Sequence, residues 1–279
     1  MNFCVVGVGG IGIRHVESFL SFRDSHVFCV DPVRANQPPP ANTVFFETVG
    51  GLPSNVRFDA VVISTSSRPR LNLLKQVCIL HPKMIILEKV AFTSCYEYET
   101  AMELGKRYSI PIFVNYAWRY ADSLFPILKT SKRWSVFSPG SGLCCNVCHF
   151  LDLYRYTFGF VPRNVSISRS GDVYESKRRG YFDFLGSADF SADEVGVSGR
   201  FDCNRGANGF RIETDTGYSI QGSDVLPLVS KTTARCFQEF IEGKIRLPDL
   251  DEDFMTFRIV RDEMARCGGW DSQSELPIT

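Results

Sequence analysis

The chain has 279 residues, of which 44% are hydrophobic and 22% are charged, so it can bury a sizeable core and is not expected to be disordered. Its 31 basic and 31 acidic residues cancel, which argues against nucleic-acid binding, because phosphate contacts supply most of that affinity. No run of about 18 apolar residues occurs, and the apolar start at residues 1–7 leaves no room for a signal peptide, so we expect a cytoplasmic protein without a membrane span.

Short apolar runs alternate with longer amphipathic stretches over the first 115 residues, which is typical of βαβ units around a parallel sheet. The pattern predicts strands at 2–7, 26–31, 44–46, 59–64, 83–87 and 111–114. It predicts helices near 11–22, 68–80 and 94–108. The prolines at 38–40 indicate a surface loop after the second strand.

The pattern changes after about residue 118. Helices are predicted at 120–131 and at 146–158, the second ending at Gly159. Strand-like alternation then recurs at 163–169, 181–190, 194–203 and 209–221, and two helices near 230–243 and 252–267 close the chain. We therefore predict an α/β protein with a Rossmann doubly wound parallel sheet at 1–117, followed by an α+β domain with a mostly antiparallel open sheet at 118–279. The second domain would serve substrate binding and oligomerisation.

Residues 7–12 form a G-x-G-x-x-G run between an apolar strand and a helix, the context in which such a run binds a dinucleotide. Gly7 permits the tight turn, Gly9 lets the backbone approach a pyrophosphate, and Gly12 lets the helix pack closely on the strand. Asp31 follows the second strand, 19 residues after Gly12, where a carboxylate accepts hydrogen bonds from the ribose hydroxyls. The alternative is a glycine-rich turn without a ligand. We expect NAD to bind at Gly7, Gly9, Gly10, Ile11, Gly12 and Asp31, with NADP possible because Arg34 lies close by.

Glu88-Lys89-Val90 follows the fifth strand, at the edge where open α/β sheets bind ligands. A lysine there can donate to a substrate oxygen and stabilise developing negative charge, whereas the alternative is an ordinary surface ion pair. Arg68 and Arg70 follow the fourth strand near the same edge. They could pair with a phosphate or carboxylate of the substrate, or lie in a solvated helix start.

With these features the sequence resembles the Gfo/Idh/MocA oxidoreductases over nearly its whole length. The resemblance rests on the glycine-rich start, Thr65-Ser66, Glu88-Lys89, a His-x-x-Asp within 142–159, and Phe237-x-x-Phe240-Ile241-x-Gly243. It implies an enzyme that transfers a hydride between NAD(P) and a hydroxyl or keto carbon of a small, carbohydrate-like substrate: a sugar, a cyclitol or a nucleotide sugar.

The resemblance also implies roles for single residues. Lys89 would be the catalytic lysine, and His149 the acid/base histidine. Further cofactor contacts would come from Thr65, Ser66 and Glu88. Substrate contacts would come from Lys89, Asn115, Tyr116, Arg119, Cys145, His149 and Asp152.

Two positions depart from the family pattern, since Val90 stands in place of a proline and Cys145 in place of an aspartate four residues before His149. Both departures favour a second possibility, a catalytically silent NAD(P)-binding sensor or scaffold. A cofactor-dependent dehalogenase or lyase is a third possibility, which no residue supports specifically.

Residues 144–149 contain C-x-x-C-H, the spacing of c-type haem attachment, and carry enough thiols for zinc or for a redox-active pair. Haem attachment requires export, and adjacent Cys144 and Cys145 diverge on a helix. We therefore expect no metal, although a redox pair stays open. Cys4, Cys29 and Cys78 lie in apolar runs and are expected to be small buried hydrophobes.

The strands between 181 and 221 would expose one sheet face unless something covers it. The apolar side chains available for a subunit interface are Phe182, Phe184, Phe190, Val195, Val197 and Phe201. We therefore expect a homodimer or homotetramer, the alternative being that helices of the same subunit cover the face.

Overall fold

A computed structural model describes residues 1–33, 41–194, 196–205, 209–221 and 229–279, so the prolines at 38–40 lie outside the described residues. Contacts divide the chain into two units. The first comprises Met1–Ala117 and Pro227–Asp251, and the second comprises Trp118–Leu226 and Glu252–Thr279. No helix within the described ranges is both long and apolar enough to cross a membrane.

The first unit is built on a six-stranded parallel sheet in the order β3-β2-β1-β4-β5-β6. Its strands are β1 (Asn2–Val6), β2 (His26–Val30), β3 (Thr43–Phe46), β4 (Ala60–Ile63), β5 (Ile85–Glu88) and β6 (Ile112–Asn115). The middle strands β4 and β5 are buried along their whole length, as expected for a parallel sheet covered on both faces. All six predicted strands are confirmed. The strand order reverses between the neighbours β1 and β4, the kind of point at which doubly wound sheets bind ligands.

Three helices connect these strands, namely α1 (Gly12–Leu20), α2 (Arg70–Cys78) and α3 (Cys95–Tyr108). Helix α1 packs on the sheet through Phe19, which stacks on Phe3 with 4.2 Å between ring centroids. Helix α3 begins with a capping box, in which the Ser94 hydroxyl accepts from the Glu97 N–H and the Glu97 carboxylate accepts from the Ser94 N–H. The helix ends at Ser109, which adopts a left-handed conformation (φ 54°). Residues at the two ends of α3 therefore set its limits.

The second unit contains a six-stranded sheet in the order β12-β11-β7-β10-β9-β8. Its strands are β7 (Arg133–Phe137), β8 (Asn164–Glu175), β9 (Phe182–Ala192), β10 (Val197–Asp202), β11 (Arg211–Thr214) and β12 (Ser219–Gln221). All neighbouring pairs are antiparallel except β7 with β10, so the prediction of a mostly antiparallel sheet is confirmed.

Strand β7 lies in the middle of this sheet and was not predicted. The helix predicted at 120–131 is instead a 3-10 turn at Ala117–Tyr120 followed by the short helix α4 (Phe125–Lys129). In β7 only Trp134 and Val136 are buried, so just two residues carry the alternation that is typical of a strand. The strand forms because β10 and β11, which come much later in the chain, pair with it on either side.

Helix α5 (Leu143–Phe158) covers the inner face of the second sheet. Its Phe150 ring stacks on Phe201 at 4.8 Å, and its Tyr154 ring meets Phe190 edge to face at 5.7 Å. The helix ends at Gly159 in a left-handed conformation (φ 76°), as the sequence predicts.

This packing changes the role of the residues proposed for a subunit interface. Phe184, Phe190 and Phe201 are core residues with at most 2% of their surface exposed, because the alternation of β9 and β10 turns them inward. Val197 is also buried, and Phe182 is 37% exposed. Val195 lies outside the described residues. An oligomer stays a prediction, and these core phenylalanines do not supply its interface.

Two helices close the chain as predicted, α6 (Val229–Ile241) and α7 (Leu250–Gly268). Helix α6 packs against α1, and its Phe237 ring meets Phe3 edge to face at 4.9 Å. Because of this packing, contacts group Pro227–Asp251 with the first unit, whereas the sequence division had assigned all of 118–279 to the second domain.

Candidate functional site

The glycine loop after β1 has the geometry of a tight strand-to-helix turn. Gly7 adopts a left-handed backbone conformation (φ 89°), and its N–H donates to the Val30 carbonyl at 2.8 Å. A Cβ on Gly12 would lie 2.0 Å from the Gly7 carbonyl oxygen and 2.9 Å from the Ser64 Oγ. Gly12 therefore permits a contact between helix and strand that no other residue allows.

Gly9 and Gly10 are open where Gly7 and Gly12 are crowded. A Cβ built on either residue meets no atom within 4 Å. Helix α1 begins directly after them, and its N-cap residue, Ile11, makes no side-chain capping hydrogen bond. Open space above two glycines at the uncapped, positive end of a helix is an arrangement that fits a pyrophosphate.

Asp31 follows β2 beside this loop. Its Oδ2 accepts from the Val8 N–H at 2.8 Å, and its Oδ1 accepts from the Val33 N–H at 2.9 Å. Because each carboxylate oxygen can accept more than one hydrogen bond, Asp31 keeps capacity for ribose hydroxyls while it fixes the loop. Arg34 lies outside the described residues.

The end of β4 supports the loop from the other side. Ser64, which sequence reasoning missed, donates from its Oγ to the Gly7 carbonyl at 2.6 Å. The Thr65 Oγ1 is buried and makes no hydrogen bond within the described residues. A Cβ on Gly7 would lie 2.8 Å from the Thr65 Cγ2, so Thr65 lies directly beside the turn. Ser66 is half-buried.

Glu88 stands at the end of β5 in a buried network. Its Oε1 bonds the His15 Nε2 at 2.9 Å and accepts from the Asn115 Nδ2 at 2.5 Å, while the His15 Nδ1 bonds the Thr233 Oγ1 at 2.7 Å. Burial raises the pKa of Glu88, but the hydrogen bonds of His15 and Asn115 and the charge of Lys89 outweigh it and hold that pKa below its usual range. Glu88 is therefore a carboxylate that accepts from its neighbours.

This network contains two residues that are predicted to contact ligands, and both assignments stay predictions. Glu88 was assigned to the cofactor and Asn115 to the substrate, and in the structure their side chains bond each other. Sequence reasoning missed His15, although a histidine on the buried face of the helix that follows the glycine loop was a usable signal. Lys89 is half-buried beside this network, and the Lys89–Val90 peptide bond is cis.

Arg68 and Arg70 also differ from each other. Arg68 is exposed, whereas Arg70 is 1% exposed and donates to backbone carbonyls at or just beyond the ends of β4 and β5. Arg70 therefore lies neither in a solvated helix start nor against a substrate anion. The buried carbonyls at the strand ends bind it instead.

In the second unit, α5 carries His149 and Cys145, both half-buried. The N-terminus of α5 is capped by Asp183 from β9, whose carboxylate accepts from the N–H of Cys144 at 2.8 Å and of Cys145 at 3.3 Å. A Cβ on Gly142 would lie 1.8 Å from the Asp183 Oδ2, so the N-cap glycine makes room for this carboxylate. Burial raises the pKa of Asp183, and the three backbone N–H groups that it accepts from oppose the rise.

Arg119 and Asp152, both predicted to contact substrate, form a buried ion pair. The Arg119 Nε lies 2.9 Å from Asp152 Oδ2, and its Nη2 lies 2.6 Å from Oδ1. The two side chains are 5% and 1% exposed, and Glu252 approaches the Arg119 Nη1 at 3.4 Å. Burial lowers the pKa of Arg119, but Asp152 and Glu252 together raise it above its usual value. Tyr116 is buried as well, in the first unit.

The structure thus brings together Glu88 with Asn115, and Arg119 with Asp152. Lys89 belongs to the first unit and His149 to the second.

The cysteines form no disulfide within the described residues, and Cys4, Cys29 and Cys78 are buried as expected. Burial raises the pKa of Cys29 to about 12 and of Cys78 to about 11, so both stay neutral near pH 7. Among the described residues, no group of three or more His, Cys, Asp or Glu side chains is arranged to hold a metal ion. That the cysteine cluster of α5 carries no prosthetic group stays a prediction.

No family model matches the sequence, and no curated protein matches it either. Solved structures do match. A putative myo-inositol dehydrogenase from Sinorhizobium meliloti 1021 superposes with a TM-score of 0.74 at 16% identity over 100% of both chains. The UDP-N-acetylglucosamine 3-dehydrogenase of Acidithiobacillus ferrooxidans gives 0.73 at 13% identity, over 97% of this chain and 98% of its own. An oxidoreductase from Agrobacterium radiobacter, in complex with NAD+, L-tartaric acid and magnesium, gives 0.70 at 11% identity over 96% of both chains.

The chain has the fold of these dehydrogenases. It is also the fold that the resemblance to the Gfo/Idh/MocA oxidoreductases predicts. At such identities the likeness establishes the arrangement of strands and helices, and the chemistry has to be argued from the residues.

Proposed function

We propose that the chain is an NAD(P)-dependent oxidoreductase that transfers a hydride between the nicotinamide and a hydroxyl or keto carbon of a sugar, cyclitol or nucleotide sugar. The observation that carries the proposal is the glycine loop, which is crowded at Gly7 and Gly12 and open at Gly9 and Gly10. The names of its structural neighbours, which include dehydrogenases of an inositol and of a nucleotide sugar, support the same class of reaction.

The residues of the first unit fit the cofactor. Gly9, Gly10 and the positive N-terminal end of α1 would hold the pyrophosphate, and Asp31 would bind the ribose. The Thr65 hydroxyl is available as a further donor, since it makes no hydrogen bond within the described residues. When bound, the nicotinamide supplies the hydride acceptor or donor for the reaction.

Two side chains would carry the chemistry. Lys89 would donate a hydrogen bond to the substrate oxygen and stabilise the negative charge that develops there. His149 would take or give the hydroxyl proton, because imidazole exchanges protons most readily near neutral pH. Cys145 offers no carboxylate to assist, so this transfer depends on His149. Glu88 and Asn115 would hold the strand ends beside Lys89.

Two variants test this assignment. Lys89→Met and His149→Asn should bind NADH as the wild type does, which a fluorescence titration measures. Their turnover of any sugar, cyclitol or nucleotide sugar that the wild type accepts should fall by roughly 10²–10⁴-fold. Lys75→Met, which removes an exposed lysine of α2, is the matched control and should behave as wild type. Wild-type turnover by both active-site variants would refute the assignment.

A second candidate is a sensor or scaffold that binds NAD(P) without turnover. Cys145 favours it, because a cysteine stands where the Gfo/Idh/MocA pattern has an aspartate. The same experiment separates the two functions: NADH binding by the wild type, with no turnover across the whole substrate panel, would support the sensor.

A further inference from the structure

The turn after β5, which carries Lys89, is held by a side chain from another part of the first unit. Arg70 is the first residue of α2 and is 1% exposed. Its guanidinium donates to four backbone carbonyls: that of Glu88 at 2.6 Å, that of Ala91 at 2.8 Å, and those of Val90 and Thr65. A single cation therefore binds the ends of two neighbouring strands.

Three of these carbonyls flank Lys89, since Glu88 precedes it and Val90 and Ala91 follow it. A backbone that is fixed on both sides leaves the Cα of Lys89 little freedom, so the direction of its Cα–Cβ bond is set. The fourth carbonyl belongs to Thr65, whose Cγ2 lies against Gly7. The same guanidinium thus joins the turn of Lys89 to the strand end that supports the glycine loop.

The stability of α2 does not account for an arginine at this position. A cation at the N-terminus of a helix faces the positive end of its dipole, and α2 has no acidic residue in its first turn to compensate. Taking a guanidinium out of water is also unfavourable unless its donors are satisfied. The four carbonyl acceptors oppose both effects at Nη1 and Nη2, so the contacts that explain Arg70 are those to the two strand ends.

We propose that Arg70 is the positioning residue for Lys89, holding the turn after β5 so that the amine is presented at the sheet edge. The expected effect on turnover rests on the proposed function: turnover should depend on Arg70, although Arg70 touches no substrate. Lysine cannot substitute, because a single ammonium lacks the planar set of five N–H donors that reaches several carbonyls at once.

Kinetics give the first test, with Arg70→Met and Arg70→Lys compared against Lys75→Met as the control on the same helix. Misplacing a catalytic group by about 1 Å can cost roughly 10²-fold in rate. We expect kcat to fall by about that factor in both Arg70 variants, while KM and the Kd for NADH stay near the wild-type values. A folded Arg70 variant with wild-type kcat would overturn the proposal.

The second test needs neither substrate nor cofactor. Reductive methylation with ¹³C-formaldehyde labels every lysine amine, and the Lys89 resonance is assigned by its absence from Lys89→Arg. In Arg70→Met, which adds no amine to the protein, the Lys89 resonance should move towards those of the exposed lysines, while the other resonances keep their positions and the circular dichroism is unchanged. An unmoved Lys89 resonance in the folded variant would also overturn the proposal. A moved resonance in a protein whose wild type neither binds NADH nor turns over any substrate would leave Arg70 as the positioning residue and refute the proposed function alone.

Discussion

The same substitution at two glycines of the loop is expected to have two different effects. Gly9→Ala and Gly12→Ala each add one methyl group within the same turn. The methyl at position 9 meets no atom within 4 Å, whereas that at position 12 lies 2.0 Å from the Gly7 carbonyl oxygen. We therefore expect the first substitution to affect the ligand and the second to affect the fold.

The structure allows the two magnitudes to be estimated. Since Gly9 lies in open space and is not among the residues with positive φ, Gly9→Ala should change the free energy of unfolding by no more than about 0.5 kcal/mol. Its methyl would stand where the pyrophosphate approaches, and NADH affinity should fall about tenfold or more, or roughly 1.4 kcal/mol. Gly12→Ala must displace backbone, because the contact is with a carbonyl. Overpacking of this kind costs about 1–3 kcal/mol, which lowers Tm by several degrees in a protein of this size.

Two measurements on each variant suffice, a thermal melt followed by circular dichroism and a fluorescence titration with NADH. Gly9→Trp is the extreme of the first substitution and should abolish saturable binding. If Gly9→Ala and Gly9→Trp both bind NADH as the wild type does, no pyrophosphate lies over Gly9. If Gly12→Ala melts at the wild-type temperature, α1 does not approach the end of β1 as closely as the structure shows.

Three further predictions concern side chains around the two sites. Asp31 should make NAD bind more tightly than NADP by about 1–3 kcal/mol, because its carboxylate would repel a 2′-phosphate; equal Kd values from parallel titrations would contradict this. The pKa of Glu88 is lowered in the folded state, so its contribution to stability is complete above its unfolded value of about 4.5 and is lost as the pH falls through the folded pKa. Urea unfolding between pH 3 and pH 7 should therefore show a smaller acid-induced loss in Glu88→Gln than in the wild type, and an identical loss would refute the network. Arg119→Met should destabilise the chain by roughly 3–5 kcal/mol, because it leaves Asp152 buried without its cation, and the double variant with Asp152→Leu should recover much of that loss in the same urea assay. Purely additive effects would show that the pair is not coupled.

The sequence alone determined most of the first unit. Its six strands are continuous apolar runs, and the glycine run, the buried strand before it and Asp31 lie close enough in the chain for local spacing to identify the turn. Such signals are readable because periodicity and turn chemistry depend on near neighbours. The same reasoning failed at β7, whose few apolar positions gain meaning only when β10 and β11 pair with it.

Tertiary structure alone decided which polar groups meet. Glu88 bonds His15 and Asn115, Arg119 bonds Asp152, Asp183 caps a helix that begins some forty residues earlier in the chain, and Arg70 binds carbonyls on two strand ends. Residue type and spacing predict ligand contacts for several of these side chains but do not indicate which other side chains they bond. A buried polar group has to find a partner, and which partner it finds is set by the packing of elements far apart in sequence, which no local pattern records.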